Sequence, residues 1–462
     1  MVNCSFYYSD FKGTPSKGAE FIVKTLPRDW KMNMVFRYKF KFLNDDTKYS
    51  NWTPFFLYDN FTDLTEEDMT SAEKKINTAF NTIRVMNKVA FLRYPRTNNL
   101  PSDEYLANLV NSWVKFFIER KIDLFITTLI DETPGYVGLE VARALKIPTI
   151  ILCGSKFSDS YILCDAYYQP IFYKKMSKKD MEESYKKAVD LTKGTSILNK
   201  DFSKVAKKMF SITAGSMPTL IGGFFSNFKA FYFEIPKQDR NIWYSTGELV
   251  RRQIKYFLRS MIANRYFSED PDYSENYMLF PLHFIDDASI TVRAPFIDQF
   301  NLIEDISRTL RQDVVLYVKP HPHWRCMDIP LDVMRKLRRL PNVKLLKYST
   351  NTKELIKHSN SVVVINSTVG FEALVYDKPV FTFGDDYPDN VAPHIDSMEQ
   401  MLDLEKMKVN QKSVKEFITK HYFHTIFQKN PYYLTLDFEN EDDVRAIVSE
   451  IEKAYSFVRV KK

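Results

Sequence analysis

Between Tyr277 and Phe383 the chain repeats one rhythm: a short apolar run, an abrupt polar turn, then a segment with apolar residues at helical spacing. The runs are Tyr277–Leu282, Val314–Val318, Val343–Leu346, Ser361–Ile365 and Val380–Phe383. The segments between them, Phe296–Leu310, Asp328–Leu340, Thr352–His358 and Thr368–Tyr376, read as helices. A strand that is apolar along its whole length is buried on both faces, and strand–helix–strand alternation leaves little but a parallel sheet wrapped by helices. In such a sheet ligands bind outside the carboxyl ends of the strands. Those ends are where chemistry is to be sought.

The first half carries the same rhythm more weakly. Ala72, Ile76, Ala79, Phe80 and Ile83 give Thr65–Met86 helical spacing, and Val89–Leu92 reads as a strand. Helix Ser102–Arg120, strand Asp123–Ile130, a turn at Pro134-Gly135, a helix to Leu145 and strand Thr149–Cys153 follow. The first 60 residues fit no pattern. Met176–Arg265, rich in Lys, reads as an all-helical segment attached to the first domain, and Ser268–Asn276 as a linker. Ser413–Phe427 and Glu441–Phe457 read as closing helices. The expected organisation is an N-terminal α/β domain over 1–270, with its helical segment at about 176–265. A Rossmann-like domain over 277–427 and a C-terminal helical segment over 428–462 complete it. A chain of 462 residues is long enough for two such cores.

Charge narrows the partners. Sixty-five Lys and Arg against 58 Asp and Glu leave +7, spread thinly. That excess suits an anionic ligand or an anionic membrane face and is too diffuse for nucleic acid, for which no recognition helix, zinc finger or aromatic RNA-binding sheet is present either. Cys4, Cys153, Cys164 and Cys326 form no CxxC pair or disulfide framework, which suits a reducing compartment. Met1–Lys17 contains no apolar run of signal-peptide length, and the apolar stretch Met217–Phe233 is interrupted by Asn227 and Lys229. The expectation is a cytoplasmic protein able to rest on the inner face of a membrane. The aromatic cluster Gly222–Phe233 serves either that contact or, more simply, a core or domain interface.

Four strand ends carry candidate chemistry. In Ser361-Val-Val-Val-Ile-Asn-Ser-Thr-Val-Gly-Phe-Glu-Ala-Leu a strand runs through a polar turn into a helix, so Ser367 and Thr368 lie where unpaired backbone N–H groups and the helix dipole favour a phosphate. Gly370 would let a ligand approach, and Glu372 would reach a ribose hydroxyl; the plain alternative is that Asn366, Ser367 and Thr368 only cap the helix. In Val315-Leu-Tyr-Val-Lys-Pro-His-Pro-His-Trp-Arg, two prolines stiffen a loop that crowds Lys319, His321, His323 and Arg325 together, a set able to hold a phosphate by charge-assisted hydrogen bonds. No third ligand stands at metal-binding spacing beside the two histidines, so no metal is expected. Met278-Leu-Phe-Pro-Leu-His-Phe-Ile-Asp-Asp-Ala-Ser-Ile places Asp286 and Asp287 after the first strand of the second domain. A carboxylate there could attack an anomeric carbon or steady an oxocarbenium-like transition state, although a turn or helix cap is the simpler reading. Ile130-Asp-Glu-Thr-Pro-Gly offers Asp131 and Glu132 as a general acid or base, against the simpler reading of a polar loop.

Taken together and in order, Phe280-Pro-Leu-His-Phe-Ile-Asp-Asp-Ala-Ser, Lys319-Pro-His-Pro and Asn366-Ser-Thr-Val-Gly-Phe-Glu-Ala-Leu resemble the capsule polysaccharide biosynthesis family, which includes β-Kdo-transferases. The resemblance is best over Tyr277–Gly384, with a looser echo over Lys121–Asp159. It implies a GT-B fold, two Rossmann-like domains facing across a cleft. It also implies a nucleotide sugar as co-substrate, CMP-linked and carrying Kdo or a related acidic sugar, a glycan or glycolipid acceptor, and no cofactor or metal. Configuration would be retained with Asp287 as nucleophile, while Lys319 and His321 contact the donor phosphate beside Ser367 and Thr368. Two other readings share these features: a CDP-glycerol-type polyol-phosphate transferase, and a non-catalytic protein that binds polysaccharide for export.

Overall fold

A computed structural model of the chain describes residues 2–7, 25–27, 29–36, 52–76, 103–128, 130, 133–157, 160–194, 258–259, 262–283, 287–291, 293–294, 298–321, 329–402, 404, 407, 409–427 and 441–460. They form two compact α/β units, each built on its own, mainly parallel sheet. The Rossmann-like character expected from the rhythm of the sequence holds for both.

The first unit takes the described elements up to Met176 together with those after Phe423. Its sheet has seven strands: β1 (Val2–Tyr7), β2 (Trp30–Phe36), β3 (Trp52–Phe56), β4 (Leu124–Thr128), β5 (Thr149–Gly154), β6 (Ser160–Cys164) and β12 (Ile426–Phe427), in the order β12-β6-β5-β4-β1-β2-β3. Strands β1 to β5 run parallel, whereas β6 and β12 are added antiparallel. The first 60 residues, which fitted no pattern, thus supply three of the parallel strands. Helix Asp103–Glu119 packs through Trp113, whose indole N–H donates to Pro134 O at 2.9 Å. A side chain at Gly138 would meet that ring at 2.5 Å, so the close approach of helix Thr133–Ala144 depends on glycine there.

The second unit takes the described elements between Ser177 and Tyr422. Its five strands are β7 (Tyr277–Pro281), β8 (Val315–Lys319), β9 (Val343–Leu345), β10 (Ser361–Val364) and β11 (Val380–Thr382). All are parallel, in the order β11-β10-β7-β8-β9. Every residue of β7 and β10 is buried, as helices on both faces require. Helices Gln299–Thr309, Leu331–Arg338, Thr352–His358 and Thr368–Val375 separate the strands, within a few residues of their expected limits. The chain runs outward from β7 through β8 to β9, then crosses back to lay β10 against the other side of β7. That reversal is the topological switch point of a doubly wound sheet.

Two boundaries differ from expectation. Helix Lys178–Gly194, assigned from sequence to the first domain, packs in the second unit against helix Thr368–Val375. Lys353 Nζ donates to Thr192 O at 2.7 Å, and Lys193 and Lys415 lie over the rings of Tyr376 and Tyr185. The supposed linker Ser268–Asn276 is tied to the second sheet. Glu269 bridges to Leu346, Asp272 N–H donates to the Tyr317 hydroxyl at 3.0 Å, and Lys344 pairs with Glu275. Periodicity reports which face of a helix is apolar but not which core receives it. Val89–Leu92, Met217–Phe233 and most of the expected helical segment 176–265 lie outside the described residues. Among the described residues no helix is long and apolar enough to cross a membrane.

Candidate active site

The carboxyl ends of β7, β8, β10 and β11 in the second unit gather the polar residues that their strands present beyond the last ladder bond. Asp287 follows β7 and opens the short helix Ala288–Thr291. One carboxylate oxygen accepts from the Ser289 N–H at 2.9 Å and from the Ser289 hydroxyl at 2.7 Å. The other lies 3.9 Å from His283 Nδ1. Burial works to raise its pKa, but His283 and Ser289 outweigh that and hold the carboxyl at about 2. The Asp287 side chain is 34 % exposed. These bonds are those of a residue that caps a turn, the simpler of the two sequence readings.

Beyond β8, Lys319 turns inward. It is buried, and its ammonium donates to Pro320 O at 2.9 Å and Tyr348 O at 2.7 Å, so its charge fixes the start of the loop. His321 stands two residues further on, half-buried. His323 and Arg325 lie outside the described residues, as do Asp286, Asp131 and Glu132.

Beyond β10, the Ser367 hydroxyl caps helix Thr368–Val375 by accepting from Val369 N–H at 3.2 Å, and Thr368 begins the helix half-buried. Gly370 serves a close approach, but by protein: a side chain there would meet the Tyr387 hydroxyl at 3.0 Å, and that hydroxyl donates to Ser367 O. Glu372 is buried. Burial pushes its carboxyl up to about 7, and the charge of Lys353 opposes the rise only in part.

Several contacts that hold these loops together escaped the sequence reading. Asn366 spans two of them: its amide N–H donates to Ser289 O at 2.8 Å, and its oxygen accepts from Asp386 N–H at 3.0 Å. Arg293 pairs with Asp386 and lies 3.8 Å from Asp385. Burial raises the Asp385 carboxyl, with Arg293 opposing and Asp386 adding to the rise. Thr382 accepts the Gly384 N–H at 3.1 Å and donates to Ile365 O at 2.7 Å. The segments after β7, β10 and β11 are therefore one hydrogen-bonded frame. The only signal in the sequence was the adjacent acids Asp385 and Asp386 just past a strand. His283 was quoted within a motif, but nothing in its local sequence marked it as a partner of Asp287.

The topology thus brings Asp287, Lys319, His321, Ser367 and Thr368 to one edge of one sheet, with Asp287 and Ser367 beyond the ends of the two strands that flank the switch point. An ionised carboxylate, an imidazole and a helix N-terminus at such an edge can bind an anionic leaving group and meet an electrophilic carbon. Among the described residues no group of three His, Cys, Asp or Glu stands ready to hold a metal ion.

Residues 229–432 match the family described as "Capsule polysaccharide biosynthesis protein". Protein FixF of Sinorhizobium fredii is 30% identical over 117 residues, 25% of this chain and 28% of its own length. The capsule polysaccharide export protein KpsS of Escherichia coli is 26% identical over 141 residues, 29% of this chain and 36% of its own. The matched stretch is thus only about a third of these relatives or less. Among solved structures, the β-Kdo 2,7 transferase of Thermosulfurimonas dismutans KpsC superposes with a TM-score of 0.33 and 13% identity, covering 81% of this chain and 98% of that one. The β-Kdo 2,4 transferase of the same protein gives 0.36 and 12%, covering 73% and 93%. Superpositions of that extent distinguish no chemistry. Over residues 229–432, which contain the whole edge of the second sheet, this chain is similar in sequence to the capsule polysaccharide biosynthesis proteins.

Proposed function

We propose that the protein is a glycosyltransferase of surface or capsular polysaccharide synthesis. It moves a sugar, Kdo or a related acidic sugar, from a CMP-linked donor to a glycan or glycolipid acceptor at the inner face of a membrane. The observation that carries this reading is Asp287, an ionised, partly exposed carboxylate fixed beside the switch point of a Rossmann-like sheet. A group in that state is suited to attack an anomeric carbon and unsuited to donate a proton. Its carboxylate displaces the nucleotide, and the acceptor hydroxyl then displaces the carboxylate, so two inversions retain the configuration. The donor phosphate is met by His321 and by the N-terminus of helix Thr368–Val375 at Ser367 and Thr368, where the dipole favours negative charge. Retention and independence of metal follow the family resemblance, and product stereochemistry and transfer in the presence of a chelator test them.

The reading is tested with a panel of CMP, CMP-linked Kdo, CMP-linked sialic acid, CDP-glycerol and UDP-N-acetylglucosamine. A ligand of the native state at about 100 times its Kd stabilises by about 2.7 kcal/mol, which raises the melting temperature by several degrees. A CMP-linked sugar is expected to do so and to be consumed when a glycolipid acceptor is added. Asp287→Asn should lower transfer by several orders of magnitude while the donor still raises the melting temperature. Consumption of CDP-glycerol alone would move the protein to polyol-phosphate transfer. Binding without turnover across the panel would make it a binding protein.

A further inference from the structure

His283 stands two residues past β7, and its surroundings fix every polar atom but one. Its backbone N–H donates to Gln299 Oε1 at 2.9 Å and its carbonyl accepts from Gln299 Nε2 at 3.0 Å. Gln299 is itself buried at the start of helix Gln299–Thr309, so a single amide clamps the main chain of the histidine. The ring is 6 % exposed, and its Nδ1 lies 3.9 Å from Asp287 Oδ2, too far for a hydrogen bond. The remaining atom, Nε2, is buried without a hydrogen-bond partner.

A polar nitrogen buried without a partner is costly, and a ligand hydroxyl is one group that would supply the missing partner. In the tautomer that carries its proton on Nδ1, the nitrogen nearer the carboxylate, Nε2 presents a bare lone pair. That lone pair can accept only an O–H or N–H. At the carboxyl edge of this sheet, four residues from the proposed nucleophile, the matching group is a sugar hydroxyl.

We propose that His283 takes the proton of the acceptor hydroxyl during transfer, an assignment that rests on the glycosyltransferase reading above. In the second displacement the acceptor O–H bond breaks and its proton goes to Nε2. The freed oxygen pair forms the new bond to the anomeric carbon. The bond from that carbon to Asp287 breaks, and its electron pair returns to the carboxylate. The recovered negative charge then faces the imidazolium born in the same step, so the pair attracts most strongly where the barrier lies. The proton afterwards leaves to water. Asp131 and Glu132, which the sequence offered for this role, lie outside the described residues; His283 stands four residues before the nucleophile.

The experiment compares wild-type protein, H283Q and H283A with the panel donor that the wild type consumes. It follows donor-induced melting shift, nucleotide release in the first turnover, steady-state transfer, and transfer with imidazole added to the medium. Both variants are expected to keep the melting shift and the first-turnover release, which need no base. Steady-state transfer should fall 10²–10⁴-fold, the usual share of a general base, and imidazole should restore part of it to H283A. H283Q transferring at the wild-type rate overturns the assignment, and so does an H283A that binds donor yet gains nothing from imidazole. Variants that lose the melting shift along with transfer also overturn it, because that result marks a structural role. A wild type that consumes no donor overturns the glycosyltransferase reading and the assignment with it, whereas an active wild type with an unimpaired H283Q overturns the assignment alone.

Discussion

At the scale of single residues, two carboxyls of the second unit are driven in opposite directions by their neighbours. Asp287 is held near 2 by His283 and Ser289 in spite of its burial, and Glu372 is pushed to about 7 because burial outweighs the charge of Lys353. The difference has a consequence for stability. Between roughly pH 4.5 and 7 the native protein holds a proton on Glu372 that the unfolded chain has released, so stability falls as pH rises through that window and levels off above it. Glu372→Gln removes the slope. Its melting temperature should match the wild type near pH 4.5 and exceed it by a few degrees at pH 8, as thermal unfolding at the two pH values would record. Lys319 carries a related lesson. A lysine at a strand end invites a phosphate in the sequence, yet its ammonium is spent on the carbonyls of Pro320 and Tyr348. Residue type reports what a side chain can do; its neighbours settle what it does.

At the scale of elements, the second unit was legible because its strands are apolar throughout and its helices are punctuated. Thr352–His358 has the limits expected of it, and Asn351 caps it by accepting from Lys353 and Glu354 N–H. What could not be read was how the loops beyond the strands are joined. Asn366 sits mid-motif and reads as part of a cap, yet its amide bolts the segment after β7 to the segment after β11. That joint leaves no room at Gly384, where an added side chain would fall 2.2 Å from Asn366 Oδ1. Gly384→Ala should therefore displace Asn366, destabilise by about 1–3 kcal/mol and lower transfer, although no catalytic group is touched. Denaturant melts together with an activity assay would check both. A variant as stable and active as the wild type would show that the frame is not rigid.

At the scale of the whole molecule, the chain closes its first unit with its last residues. Strand β12 pairs with β6, and helix Glu441–Val460 sends Val444, Ile447, Val448, Ile451, Ala454 and Tyr455 into the core built on β1, β2, β4 and β5. Tyr173 and Lys174 both reach Glu450, and Trp30 packs edge-on against Tyr455. Deleting residues 423–462 should thus lower the melting of the first unit by well over ten degrees or prevent its folding, while the second unit still melts in response to a nucleotide donor. Calorimetry of the full and shortened chains would separate the two transitions. Loss of the donor response in the shortened chain would show that the second unit depends on the segment.

The sequence by itself determined the layered α/β class, the parallel sheet of the second unit and the strand ends where polar residues cluster, because these follow from local periodicity and from turns that neighbouring residues impose. It also carried the resemblance to capsule polysaccharide biosynthesis proteins. The tertiary structure alone decided which core receives helices Lys178–Gly194 and Glu441–Val460, that three strands come from the first 60 residues, and that His283 faces Asp287. Those are contacts between segments whose own patterns are equally satisfied by several partners. Only the packing of the whole unit, where each apolar face and each buried polar atom must be matched, selects one of them.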